Sequence, residues 1–179
     1  PNSGYVTNSG GKSYGYIRTG DANSGPDYRG WARFNIPSFI PSNAVITSVT
    51  AHFYVEDDEG SASGNILKFF TGNTSSMSGN TIFNTIDDSN AHETNDGNYN
   101  TGWRVIGINA SGVGVVQSNI TNAINLGFAR KTGNFEYAIY GSDGSAQGTN
   151  IAARRPFLRI VYTLPCTTPT PATAISNTS

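Results

Sequence analysis

The sequence predicts an all-β fold, a jelly-roll-like two-sheet β-sandwich with a C-terminal extended tail. Composition is the first reason. Of 179 residues only 13% are charged and 36% hydrophobic, while Asn, Ser and Thr together fill about a third of the chain. With 21 Gly and 9 Tyr against 1 Met, this is poor material for helices and good material for strands joined by polar loops. The second reason is alternation: apolar side chains recur with period two in several stretches, and no helix-length stripe is present. The third is turn chemistry. Gly10-Gly11, Asp96-Gly97, Asp143-Gly144 and Pro37 with Pro41 punctuate the chain between those stretches.

Taken in chain order, Tyr14–Thr19 is a weak strand. Tyr28–Ile36 is a clear one, with Ala32, Phe34 and Ile36 on one face and Arg29, Trp31 and Arg33 opposite. Val45–Val55 is the clearest, with Val49, Ala51, Phe53 and Val55 facing one way and Ser48, Thr50, His52 and Tyr54 the other. Asn65–Phe70 follows, and then a long Asp/Asn/Gly-rich loop or hairpin excursion from Asn84 to Gly102. Trp103–Ile108, Gly112–Val116 and Phe135–Tyr140 read as further strands. Gln117–Phe128 has Ile120, Ile124 and Phe128 four apart but is interrupted by Asn119, Asn122 and Asn125, which allows one or two helical turns. Phe157–Thr163 closes the domain, Leu158, Ile160 and Tyr162 alternating with Phe157, Arg159 and Val161. Residues 1–163 form the sandwich. Residues 164–179, with three prolines, form a Pro/Thr-rich tail or linker of polyproline-like character.

Eleven Lys and Arg against 12 Asp and Glu give a net charge of −1, which offers no electrostatic footprint for nucleic acid. No apolar run approaches the roughly 18 residues of a spanning helix, so no membrane insertion is expected. Cys166 is the one cysteine, which excludes an internal disulfide framework and a cysteine-rich zinc site. Its partner lies outside the domain, or it is a free thiol. Richness in Asn, Ser, Thr and Gly with little Lys or Glu points to a secreted, extracellular or cell-surface bacterial protein.

No catalytic set emerges. Gly11-Lys12-Ser13-Tyr14-Gly15 has the G-x-S-x-G spacing of a nucleophile elbow, but a strand rather than a helix follows it. His52 sits in a strand as a surface or inter-sheet residue, and His92 lies in the long loop, where a solvated ring is expected. Four Asn-x-Ser/Thr acceptors, at Asn73, Asn109, Asn119 and Asn177, carry little weight in so Asn-rich a chain. Acidic runs supply candidate calcium ligands at Asp57, Asp58, Asp87 and Asp88, since carboxylates are what a hard cation takes. No other cofactor is expected. Exposed aromatic rings are candidate sugar platforms: Trp31 and Tyr28 on the second strand, and Tyr99 and Trp103 beside the long loop. The competing reading of these rings is packing under loops or a neighbouring module.

Several segments together resemble a known family. YRGWARFNIPSFIPSNAVITSVTAHFYV (Tyr28–Val55) is similar to the core of DNRLRE, or disaggregatase-related, domains, with Arg29, Phe34, Ile36, Pro41, Ile46, Ser48, Phe53 and Tyr54 on the pattern. Asn8–Gly20 resembles the family's opening, GVGVVQSNITNAIN (Gly112–Asn125) its middle, and ARRPFLRIVYT (Ala153–Thr163) its closing strand. Asn35 stands where the family carries Asp. The resemblance implies a jelly-roll-like module of secreted bacterial and archaeal multidomain proteins.

Two functions are therefore expected, neither enzymatic. The first is a structural or adhesive subunit of a cell-surface or filamentous assembly. Its tail (Pro169, Pro171 and Ile175) or a sheet edge would dock on neighbouring copies of itself or on adjacent domains of the same protein. The alternative is a carbohydrate-binding module with polysaccharide as partner.

Overall fold

The computed structural model describes residues 2–21, 27–58, 65–87, 91–93, 100–130, 136–146 and 149–166. The elements run β1 (Ser3–Thr7), β2 (Lys12–Tyr14), β3 (Ile17–Asp21), β4 (Asp27–Asn35), β5 (Val45–Asp58), β6 (Asn65–Phe70), α1 (Gly79–Thr85) and β7 (Gly102–Gly107). They continue with α2 (Ala110–Gln117), β8 (Ala123–Arg130), β9 (Glu136–Ile139), β10 (Ser145–Ala146), β11 (Thr149–Asn150), a 3₁₀ turn (Ala152–Arg154) and β12 (Phe157–Thr163).

Among the described residues, ten strands share one sheet that doubles back as two leaves, while β10 and β11 form a separate small hairpin. In the front leaf β5 is central. β12 pairs along its first half, from Val45↔Thr163 to His52↔Phe157, and β7 along its other edge, from Thr50↔Gly107 to Val55↔Gly102. The back leaf runs β2–β1–β4–β8–β6. β3 and β9 join the leaves: β9 pairs the end of β5 and also β3, which pairs the start of β4. Every pairing is antiparallel. The all-β, sandwich-like expectation is met.

The core lies between the leaves. Val49, Ala51, Phe53 and Val55 of β5 point inward as their alternation requires, and the Phe53 ring meets Phe128 of β8 edge-on at 5.2 Å. Full burial of one such ring contributes roughly 1.5–3 kcal/mol. α2 adds Val116 to the core, and the turn after it adds Ile120. The Gln117 amide fixes that helix to the start of β5, donating to Ala44 O at 3.0 Å and accepting from Ile46 N–H at 2.7 Å.

A second apolar cluster forms on the other side of the back leaf, where Val6, Trp31, Ile66, Phe70, Ile82, Ile86 and Ala129 pack beneath α1. Three cations hold this cover down. The Lys12 ammonium donates to the carbonyls of Thr74, Ser75 and Met77 at 3.0, 3.3 and 2.9 Å. Arg33 donates to Gly72 O at 2.8 Å, and Arg29 donates to Phe83 O at 2.6 Å. The approach is close: a Cβ on Gly79 would stand 2.2 Å from Gly10 O, and Gly10 itself has φ +86°.

Four local expectations change. Gly112–Val116 is part of α2 rather than a strand, because Asn109 caps the helix by accepting from Gly112 N–H at 3.0 Å. Gln117–Phe128 holds the last residue of that helix and a turn, then enters β8, whose residues Ile124–Ala129 are all buried. Tyr14–Thr19 divides into the end of β2 and the start of β3. The long loop expected from Asn84 begins inside α1, and its Glu93 bridges to Ile108.

Candidate functional site

The outward side chains of β7, β5 and β12 form a grid set by register. One row is Val105–His52–Phe157, the next places Trp103 beside Tyr54, and a third runs Gly107–Thr50–Arg159. Large apolar groups stay in solvent there: Trp103 is 42% exposed, Val105 59%, Phe157 47% and Val161 44%. The rings support one another. Trp103 meets Tyr54 edge-on at 5.7 Å and Phe157 at 5.9 Å, and Phe157 stacks on His52 at 4.4 Å.

One end of the grid is pinned by Arg154. Its guanidinium lies 4.0 Å over the Tyr54 ring, donates to Tyr140 Oη at 2.8 Å, and pairs with Glu56 Oε2 at 3.1 Å. His52 Nε2 lies 3.0 Å from Thr50 Oγ1. Burial under its neighbours, and then the Arg159 charge, hold the His52 imidazole below its ordinary pKa. The strip is thus an aromatic and aliphatic face that carries the Arg159 cation in its third row and the Arg154–Glu56 pair at one end. β12 is also the last described strand, and Leu164 just beyond it is exposed.

No family model and no curated protein matches this chain.

Of the four aromatic candidates, only Trp103 lies on this face among the described residues. Trp31 is fully buried under the α1 cover, edge-on to Tyr14 at 6.0 Å, and so offers no platform as the fold stands. Trp31 does lie on the face of its strand opposite Ala32, but that face is covered rather than wet. Tyr28 belongs to the back leaf, half-buried, edge-on to Tyr5 at 5.5 Å with Arg18 3.9 Å over its ring. Tyr99 lies outside the described residues, as do Asp88, Pro169, Pro171 and Ile175.

No group of three metal-ligating side chains occurs among the described residues, and of the four calcium candidates only Asp87 has a described side chain. Asp57 and Asp58 end β5, their backbone paired with β9 and their side chains outside the description. Asp87 pairs with the Lys68 ammonium at 2.6 Å. His92, expected in solvent, is buried instead, accepting the Phe69 N–H. Lys12 and Tyr14 of the G-x-S-x-G stretch lie in β2 and lead to β3, with no helix following. Cys166 is an exposed free thiol.

Of the face, Phe157, Val105, Val161 and Arg154 carry no functional expectation from the sequence, whereas His52 is expected as a surface or inter-sheet residue with Tyr54 on the same side of its strand. The alternation of Phe157, Arg159 and Val161 against Leu158 and Ile160 was the available signal. It gives two faces but not which one is wet.

Proposed function

We propose that this chain is a non-catalytic, extracellular structural or adhesive module that docks on a neighbouring copy of itself through the front-leaf face and the β12 edge. The observation that carries the reading is the exposure of Trp103, Val105 and Phe157 in neighbouring positions of the β7–β5–β12 face, with Val161 exposed further along β12 beyond Arg159. Isolated exposed apolar residues are ordinary, but a rimmed cluster on one flat face marks an interaction surface. Among the described strands β12 is paired on one side only, to β5. Such an edge is a template for strand addition. The resemblance to DNRLRE domains agrees with an extracellular module. A non-enzymatic reading is supported by the structural use of the histidines: His92 binds a backbone N–H and His52 lies beside Thr50.

The test is light scattering with electron microscopy on the chain and on a Phe157→Ser/Val161→Ser variant. We expect the parent to form oligomers or filaments and the folded variant to remain monomeric. A monomeric parent, or a variant that associates as well as the parent, overturns the reading. The second reading, glycan binding, is favoured by the half-exposed Trp103 ring beside Tyr54. It takes precedence if the parent is monomeric and a glycan screen gives binding that Trp103→Ala abolishes.

A further inference from the structure

Ala91–Glu93 stitches the edge of the back leaf to the front leaf. On the β6 side, His92 N–H donates to Leu67 O at 2.8 Å. Leu67 N–H donates to Glu93 Oε2 at 2.9 Å, and Phe69 N–H donates to His92 Nδ1 at 2.8 Å. On the front side Glu93 bridges to Ile108, and Asn109 N–H donates to His92 O at 2.7 Å. The two edge N–H groups of β6 are thus met by ionisable side chains, where another strand or water would ordinarily meet them.

An imidazole nitrogen that accepts a hydrogen bond carries no proton. His92 is 4% exposed, its ring stacked near Phe69 at 6.0 Å and its Cβ close against Gly112. Placing a proton on Nδ1 sets two N–H groups against each other. The surroundings oppose that proton as well: burial lowers the His92 pKa, and the Lys68 charge lowers it further. Among the described residues, the charged groups about the ring are Lys68 of β6, itself paired with Asp87, and Glu93 of the segment itself. α2 carries no ionisable residue.

We propose that His92 is an acid-released latch, whose protonation detaches Ala91–Glu93 from β6 and opens the N–H groups of Leu67 and Phe69 to pairing. The sign follows from linkage. The latched state favours the neutral ring, so the latch is at full strength above the ordinary histidine pKa of about 6.5. Below it the opening constant rises by up to about tenfold per pH unit.

Hydrogen exchange of the Leu67 and Phe69 amides, read by NMR as protection factors between about pH 7.5 and about pH 5.5, tests this. Protection should fall on acidification by up to about tenfold per pH unit below about pH 6.5. In His92→Asn the side-chain oxygen stands where Nδ1 stood, so it still accepts the Phe69 N–H and does not titrate, and protection should stay level. The chain has two histidines, and His52→Gln should leave the acid step in place. Parallel losses in the parent and His92→Asn overturn the latch. Should His92→Asn not fold, imidazole NMR of the parent decides. An unprotonated Nδ1 with a pKa below the ordinary range supports the latch, and a protonated Nδ1 near neutral pH or an ordinary pKa overturns it.

Discussion

At the scale of single residues, the front-leaf face rests on how side chains shield one another. His52 is held neutral first by burial and second by Arg159, and the Phe157 ring stacked 4.4 Å away is the most direct source of that burial. Removing the ring and removing the charge should therefore have unequal effects. Phe157→Ala should raise the His52 pKa toward about 6.5, and Arg159→Gln should raise it by less. An NMR titration of the imidazole checks this, and a larger shift in Arg159→Gln would reverse the order of causes. Trp31 teaches the converse lesson. Its place opposite Ala32 and Phe34 was legible from alternation, but alternation reports which side of a strand a residue takes and not what covers that side. Here α1 and three cation-to-carbonyl clamps cover it.

At the scale of elements, alternation makes a strand legible where it is buried on one face only. β6 and β12 have the bounds that the sequence suggested, and β5 starts where expected. These strands carry a strand-like composition between clear breaks. β8 did not show itself, because a strand buried on both faces has no alternation to read. α2 was misread because Val113, Val115 and Val116 are strand formers in isolation, and the Asn109 cap together with core contact outweighs that preference. α1 was hidden for the same reason, a seven-residue helix begun by a Ser78 cap and held by tertiary contacts. The clamp on its cover yields a test. Lys12→Met keeps the length and apolar stem but leaves three carbonyls without their cation, so we expect a loss of about 1–3 kcal/mol. Denaturant unfolding measures it, and an unchanged midpoint would mean that water satisfies those carbonyls equally well. The candidate face was the least legible feature. Trp103, His52 and Phe157 belong to three strands far apart in the chain, and only register brings their rings together.

At the scale of the whole molecule, the joining of the leaves by β3 and β9 has a thermodynamic consequence. Neither leaf closes its own hydrophobic face: Phe53 of the front leaf is buried by Phe128 of the back, and the hydrogen-bonded sheet continues from one leaf to the other. Opening one leaf would expose the shared core of both, so the described fold should unfold as one cooperative unit. The two tryptophans report on the leaves separately, Trp31 on the back and Trp103 on the front. In Trp31→Phe and in Trp103→Phe, the remaining fluorescence transition should coincide with far-ultraviolet circular dichroism in the same denaturant series. The two variants will differ in midpoint, since Trp31 is buried and Trp103 is half exposed, but each should be internally coincident. Phe53→Ala, which empties the contact between the leaves, should cost roughly 3–5 kcal/mol and move both probes together. A front-leaf transition that separates from the back-leaf one in that variant would show that the β3–β9 junction does not couple the leaves. The front face would then need to be understood as a unit of its own.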